Sequence, residues 1–539
     1  MTAIRVARAL VEELVAQGVR DVVLSPGSRS GPLALVLAAA DAAGAVRLHV
    51  RVDERTAGFL ALGLAKSSRR LVPVLTTSGT AVVNLHPALL EARHAGVAVL
   101  ALTADRPATL RGTGANQTTD QIGIFPGVPC AVLTSEADRG DVVDVLAALA
   151  GASGTGPAQL DLELDEPLLE PFDPTFETLD EPIRPATAGP APEAETLEVD
   201  DTTVVVAGDD AGPGARAFAE AARLPLLAEP TSGARTGGHT IVAYRLLLAH
   251  AELASRISRV VVFGHPTLSR PVTALLGRTD LDVVVAADDL RHFPHPEGHA
   301  RLVDPDVRPV GRAVGSWLEA WLEADRAATG AIDGVLAASA GVSPYDVARA
   351  VSESVPPGGL LFVGSSNPVR DLDLVARPYA VGERRLVLAN RGLAGIDGTL
   401  SSAIGATLGR PSSRALAYVG DLTFLHDTNG LLIGPDEPRP DLTVVVASDD
   451  GGSIFATLEQ GAPAYATAFE RVFATPTGAS IGGLCEALGV AHSLVADVAT
   501  LRRLLAEDVS GLRVLEVPVD RTSRRALTET LSSAVRASL

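Results

Sequence analysis

Short apolar runs that close on a glycine, serine or aspartate turn and lead into a helical pattern recur along the whole chain. "VRDVVLSPGS", "VPVLTTSGT" and "VAVLALTADRP" lie in the first 165 residues, "TTVVVAGDDAGPGARA", "RVVVFGHP" and "LDVVVAADD" in the middle, and "GGLLFVGSSNPVR", "RALAYVGDLTF" and "DLTVVVASDDGG" near the end. Runs that are apolar on both faces and separated by helices require parallel sheets covered on both sides. At 539 residues the chain is too long for one core, and ordinary domain sizes suggest about three. The expectation is an α/β protein of three doubly wound parallel-sheet domains. The alternation breaks twice: in a stretch rich in proline and acid from 165 to about 200, and in a softer Ala/Gly/Ser stretch, "DRAATGAIDGVLAASAGVS", read as a second linker. Boundaries fall at 1–180, 181–340 and 341–539.

Composition narrows the partners. A formal charge of −20 argues against nucleic acid, which selects a basic face. No run approaches the roughly 20 apolar residues of a membrane span, and the start "MTAIRVARALVEELVAQGV" is amphipathic without a signal core, so the expectation is a cytoplasmic protein without membrane insertion. Cys130 and Cys485 match no metal or redox spacing and read as reduced thiols. "VVVAGDDAGPGARA" lacks the G-x-G-x-x-G spacing of a dinucleotide loop and reads as an ordinary strand-to-helix turn.

Two acidic features carry chemistry. Gly420 and Asp421 end one apolar strand, and Asp449, Asp450, Gly451 and Gly452 end the next, about 28 residues on. Neighbouring strands of a doubly wound sheet deliver their ends to one carboxyl edge, where ligands bind. Two carboxylates with a backbone carbonyl make a hard-oxygen site suited to Mg²⁺, which completes its shell with phosphate and water, and the helix after "GDLTFLHD" would turn its amides to an anion. The second feature is "RVDERTAGFLALGLAKSS", where Asp53 and Glu54 precede a helix of small apolar residues. Helix capping is the ordinary reading of carboxylates in a first turn. The alternative is a chemical task for an acid placed where the chain goes under.

The Gly420–Asp421 and Asp449 arrangement resembles the cofactor motif of thiamine-diphosphate-dependent enzymes of the decarboxylase type. Here Leu422 stands where that motif usually has glycine, and Asp449 where it usually has asparagine. The resemblance implies that Asp421, Asp449 and the Gly451 carbonyl hold Mg²⁺, with Mn²⁺ as an alternative. Gly420, Leu422, Gly452 and Ile454 are further implied cofactor-binding positions, and Ile396 supports the bent cofactor. Glu54 falls where the superfamily places the glutamate that bonds the aminopyrimidine N1′, a task suited to a carboxyl in a low-dielectric pocket.

Over its whole length the chain is similar to the 2-succinyl-5-enolpyruvyl-6-hydroxy-3-cyclohexene-1-carboxylate synthase family of menaquinone biosynthesis. The strings that carry this are "SPGSRSGPLAL", "TTSGTAVVNLHPALLEA", "LTADRPATLRGTGANQTTDQ", "SSNPVRDLD", "ANRGLAGIDGTLSSAIGAT", "GDLTFLHDTNGLL" and "DDGGSIFATLEQ". It implies a transferase that decarboxylates 2-oxoglutarate and adds the succinyl carbanion equivalent to isochorismate in a conjugate sense. Both substrates are dicarboxylates, which call for arginine forks. The matching positions are Ser28, Arg29, Arg106, Gln117, Ser366, Arg370 and Arg391, with Arg270 beside Ser269 in the middle domain and Ile454 and Phe455 on the apolar side. Glu54, Arg29, Gln117 and Arg391 are the implied catalytic group. The resemblance also implies a homodimer or homotetramer with active sites at the subunit interface, Glu54 and Asp421 of one site coming from different chains. The rivals are a pyruvate-using acetohydroxyacid synthase, a simple 2-oxoacid decarboxylase, an FAD-binding relative and a non-catalytic scaffold. The arginine set argues against the first two and the intact Glu54, Asp421 and Asp449 against the last.

Overall fold

The structure, a computed structural model, describes residues 2–176, 194–288, 293, 299–411 and 413–539. Its first sheet comprises β1 (Asp21–Leu24), β2 (Arg47–Val50), β3 (Val72–Thr76), β4 (Val99–Asp105), β5 (Cys130–Thr134) and β6 (Ala158–Glu163), in the order β2-β1-β3-β4-β6-β5. A short β7 (Thr196–Glu198) precedes the second sheet, formed by β8 (Thr203–Ala207), β9 (Leu226–Ala228), β10 (Arg259–Phe263), β11 (Asp282–Ala286) and β12 (Arg301–Val303) in the order β12-β11-β10-β8-β9. β13 (Arg308–Val310) pairs with β7. The third sheet has β14 (Leu360–Val363), β15 (Leu386–Leu388), β16 (Ala415–Gly420), β17 (Leu442–Ser448), β18 (Ala491–Leu494) and β19 (Leu512–Pro518), ordered β15-β14-β16-β17-β19-β18.

The first and third sheets share one winding, and the second repeats it without the final strand. All pairings in the three sheets are parallel, as apolar strands between helices require. Each sheet reverses direction between its first and third strands. The ligand crevices of a doubly wound fold therefore lie outside the carboxyl ends of β1/β3, β8/β10 and β14/β16.

The chain divides into two compact units. One gathers Met1–Ala188, Gly392–Ser412 and His426–Asp441, and the other Gly189–Arg391, Ser413–Leu425 and Leu442–Leu539. Within the second unit, the second and third sheets share one core that includes Tyr244, Trp317, Trp321 and Tyr418.

The stretch read as a second linker is not one. Residues 325–338 belong to a helix, Gly315–Ala338, that buries Trp317, Leu318, Trp321, Ala328, Ile332 and Leu336. With the buried Asp325, the positions 317, 321, 325, 328, 332 and 336 fall three or four residues apart on one face, so this period outweighs the Gly330 and Gly334 interruptions, where an added Cβ would meet nothing within 4 Å. The first linker falls partly on 177–193, outside the described residues, while 164–176 carries no helix or strand.

The first unit also accounts for the small residues after Glu54. The helix Glu54–Ser68 is buried from Thr56 to Lys66 and packs against the helix Thr399–Leu408. A Cβ on Gly63 would lie 2.0 Å from the Ser402 carbonyl oxygen, and one on Gly405 2.2 Å from that of Leu60. Backbones this close tolerate only hydrogen at the contact.

Candidate functional site

At the carboxyl edge of the third sheet, the turns after β14, β16 and β17 converge. Asp421 directly follows β16, opens the next helix and is buried. One of its oxygens accepts the Leu422 N–H at 2.6 Å and the other those of Asp449 and Gly451 at 3.1 Å. Asp421 thus folds the next turn around itself. Asp449 bonds the Ser453 hydroxyl, which accepts Asn367 Nδ2 from the turn after β14 at 2.7 Å. Burial, with the Asp421 charge adding to it, pushes Asp449 up to about 7, and burial raises Asp421 too. Two neighbouring carboxyls that resist ionisation together are relieved by a divalent cation.

The donor set fits one. The Gly451 carbonyl accepts the Ser453 N–H and Asp449 the Ser453 hydroxyl, which leaves both with acceptor capacity, beside an Asp421 carboxyl engaged by the Leu422, Asp449, Gly451 and Asp450 amides. No group of three or more His, Cys, Asp or Glu suited to a metal occurs among the described residues, so any metal here draws on backbone, phosphate or water as well. The helix after Gly420 spans only Asp421–His426 and begins at the acid itself. It is too short for the dipole argument made from sequence, and the amides of Leu422, Asp449 and Gly451 already serve Asp421.

Gly451 (φ +156°) and Gly452 admit the segment Glu470–Ala474, whose Ala474 and Phe473 carbonyls would meet added Cβ atoms at 2.6 and 2.7 Å. Ile454 and Phe455 follow in a half-buried 3₁₀ turn, with the Phe455 ring 5.8 Å from Phe473. Gly420 keeps open space where its side chain would be.

Beside this edge lies a group of arginines. Arg370 lies in the first turn of the helix Asn367–Val375 and donates to the Ser366 carbonyl at 2.7 Å. Ser366 is held at φ +72°, a strained position for a non-glycine residue and a frequent mark of ligand sites. Burial, then the charges of Arg391 and Arg245, lower Arg370 to about 10. Arg391 is buried and donates to Thr267 Oγ1 at 3.2 Å, while its Nε has no hydrogen-bond partner. Arg270 stands apart from this group: it is exposed and paired with the exposed Glu459, the two N–O distances being 2.5 and 3.2 Å. Its neighbour Ser269 is buried, with no partner for its hydroxyl.

The first sheet builds a second anion-seeking edge. A Cβ on Gly27 would lie 2.3 Å from Thr77 Cβ, so the turns after β1 and β3 touch at the switch point. Ser28 is exposed there, and Arg29 donates to the Leu164 carbonyl at 3.0 Å. Arg106 donates to Ser78 Oγ and to the Gln117 carbonyl at 2.5 and 2.6 Å. Gln117, at φ +56°, turns its amide back to the Ser78 carbonyl at 3.0 Å. Burial and then the Arg106 charge lower Arg29, with Glu166, Asp105 and Asp165 opposing. Two guanidiniums are thus held near one another at a sheet edge.

The two acids before the small-residue helix divide the work. Asp53 is its N-cap, accepting the Arg55 and Thr56 N–H groups at 2.9 and 3.3 Å, and it also takes Asn429 Nδ2 at 2.8 Å. Glu54 is therefore spared the capping role. It is half-buried rather than sealed within the chain, with one long contact, 3.5 Å, from Asn84 Nδ2. Ile396 is also half-buried, in a turn fixed on both sides. Gly398 lies where a Cβ would strike the Phe59 ring at 1.9 Å, and Glu91 accepts the Gly392 and Leu393 N–H groups at 2.6 Å each. Glu91→Gln turns an N–H₂ toward one of these donors. It is expected to cost about 1–3 kcal/mol and to speed proteolysis within 392–398, read by limited digestion.

Sequence reasoning named most of these residues but missed Ser78, Asn367 and Glu91. All three lie inside strings that carried the resemblance. The turn positions of Ser78 and Asn367 were the available signal, whereas Glu91 sits mid-helix, where spacing offers none.

The thiamine pyrophosphate enzyme N-terminal TPP-binding domain family matches residues 4–124. Three proteins named 2-succinyl-5-enolpyruvyl-6-hydroxy-3-cyclohexene-1-carboxylate synthase are similar to nearly the whole chain. The one from a Nocardioides species is 50% identical, covering 97% of this chain and 96% of that protein. Those from Paenarthrobacter aurescens and Kineococcus radiotolerans are 44% and 45% identical, over 100% and 99% of this chain and 98% and 99% of theirs. With an apolar α/β scaffold of parallel sheets and identity of this extent along its length, the chain belongs to the 2-succinyl-5-enolpyruvyl-6-hydroxy-3-cyclohexene-1-carboxylate synthase family of thiamine-diphosphate-dependent enzymes.

Proposed function

We propose that the chain makes the product for which its relatives are named, by decarboxylating 2-oxoglutarate and joining the four-carbon unit to isochorismate. The observation that carries this is the gathering of like charges: Arg29 beside Arg106, which with burial lowers it, and Arg370 beside Arg391 and Arg245, which with burial lower it. Arginines held close in an acidic chain await anions, and both substrates are dicarboxylates.

Thiamine diphosphate, when bound, would supply the electron sink that stabilises the carbanion equivalent left on the former keto carbon of 2-oxoglutarate by loss of CO₂, and that substrate carbon joins the second substrate. Asp421, Asp449 and the Gly451 carbonyl would hold Mg²⁺, or Mn²⁺, against its diphosphate, with Gly420, Leu422, Gly452 and Ile454 about it and Ile396 supporting its bend. Glu54 would hold a proton at N1′ of the aminopyrimidine. Arg29, Arg106, Arg370 and Arg391, with Ser28, Gln117 and Ser366, would orient the acids, which lowers the entropic barrier of a two-substrate reaction. Phe455 would exclude water from the apolar side. Arg270 would reach substrate only by leaving Glu459.

In this reading, 1–180, 181–340 and 341–539 serve as pyrimidine, central and diphosphate domains. Two chains build each site in a homodimer or homotetramer, and the half-exposed Glu54 becomes covered there. No described helix is long and apolar enough to cross a membrane, and a cytoplasmic enzyme is proposed.

The test follows isochorismate absorbance with thiamine diphosphate, Mg²⁺ and 2-oxoglutarate. Consumption that needs all three supports the reading, and CO₂ release without loss of isochorismate sinks it in favour of another 2-oxoacid enzyme. Asp449→Ala is expected to raise the half-activating Mg²⁺ concentration by at least on the order of tenfold. Asp449→Asn, which keeps an oxygen ligand, is expected to stay close to the parent in the same titration.

A further inference from the structure

Glu229 follows β9 directly and is 1% exposed, yet neither the cofactor site nor the substrate arginines include it. One of its oxygens accepts the Leu268 N–H at 2.9 Å, and the other is buried without a hydrogen-bond partner among the described residues. Leu268 sits in the turn 267–270 after β10, at the switch point of the second sheet. The same turn supplies Thr267, the partner of Arg391 Nη2. Arg391 is 2% exposed, and its Nε likewise lacks a partner.

The charged and titratable groups acting on Glu229 are Arg391, Asp373 and Asp209, and Tyr244 also feels its charge. Asp373 is already engaged by Arg235 at 3.3 Å, Arg245 at 3.6 Å and the Tyr244 hydroxyl at 2.8 Å. The cation acting on Glu229 is Arg391.

We propose that Glu229 is a positioning residue that fixes the turn carrying Thr267 and Leu268, and through Thr267 the guanidinium of Arg391, and that the ionised form of Glu229 competes with a substrate carboxylate for Arg391. This rests on the reading of Arg391 as a carboxylate anchor. Burial pushes Glu229 up to about 8, with Arg391 opposing. A ligand carboxylate on Arg391 withdraws that opposition, so the protonated form is favoured and a proton is taken up on binding. Affinity then scales with the protonated fraction of Glu229. The Kd of a simple dicarboxylate is expected to weaken about threefold between pH 7.5 and 8.5.

The experiment is calorimetric titration of the full-length protein with succinate at pH 7.5, 8.0 and 8.5, in phosphate and in Tris, which differ in ionisation enthalpy. Parent protein is expected to take up roughly half a proton at pH 8. Glu229→Gln keeps the acceptor for Leu268 N–H and is expected to bind with no proton uptake and no pH trend, whereas Glu229→Asp restores both. Absence of proton uptake in the parent, or the same trend in Glu229→Gln, overturns the proposal. Arg391→Ala separates the two readings. If it loses succinate while Glu229→Gln behaves as the parent, the anchor stands and the role of Glu229 falls. If Arg391→Ala binds succinate as the parent does, both fall.

Discussion

Glu54→Gln is expected to lower kcat by roughly 10²–10⁴-fold while leaving the fold and its thermal transition in place. The separation rests on the division of work at the start of the helix Glu54–Ser68. Asp53 supplies the cap, so glutamine at 54 removes no acceptor from the first turn. The one hydrogen bond of Glu54 among the described residues, at 3.5 Å from Asn84, is too long to be worth much. Glutamine matches glutamate in shape but cannot hold and release a proton at the aminopyrimidine N1′, so the loss should appear in kcat. The complementary change, Asp53→Ala, should reverse the pattern: about 1 kcal/mol of stability lost with the cap, seen as a lower melting temperature, and a much smaller effect on turnover. Equal losses of activity in the two variants would mean that the pair acts only through helix geometry.

Local chemistry written at strand ends was legible, and long-range contacts were not. Asp421 and Asp449 could be brought together from sequence because β16 and β17 are neighbouring parallel strands, and each acid directly follows its strand. Arg29, Arg106 and Arg370 could be placed at ligand edges for the same reason. Glu91 escaped notice because its partners, the Gly392 and Leu393 amides, lie about 300 residues away and nothing near Glu91 foretells them. Glu229 escaped because a lone acid after a strand reads as a turn former until its burial is known. Residues 325–343 misled through composition: the alanines and glycines looked like a linker, while the apolar spacing continuing from Trp317 and Trp321 was that of a buried helix face. Arg270 sits at a substrate position by resemblance, yet its side chain lies on the surface against Glu459. Spacing fixes where a Cα falls and leaves the rotamer of a long side chain to its neighbours.

Gly63→Ala is expected to destabilise the protein by about 3 kcal/mol or more, the upper end of the usual cost of overpacking, and to reduce activity as a consequence. The added methyl would lie 2.0 Å from the Ser402 carbonyl oxygen and 2.7 Å from its carbon. Both are backbone atoms of the packed helix Thr399–Leu408, so no side-chain rotation relieves the clash. The helices must move apart, and the reciprocal contact of Gly405 with Leu60 and Leu64 loosens with them. That displacement reaches the site at both helix starts: Glu54 opens one, and the turn carrying Ile396 leads into the other. The same chemical change at Gly330, inside the helix Gly315–Ala338, meets nothing within 4 Å. There alanine is expected to stabilise by up to about 1 kcal/mol through helix propensity. Thermal melting of the two variants beside the parent should show shifts of opposite sign. A neutral Gly63→Ala would mean that the two helices do not meet as closely in solution, and the account of why the chain after Glu54 is built from small residues would fail with it.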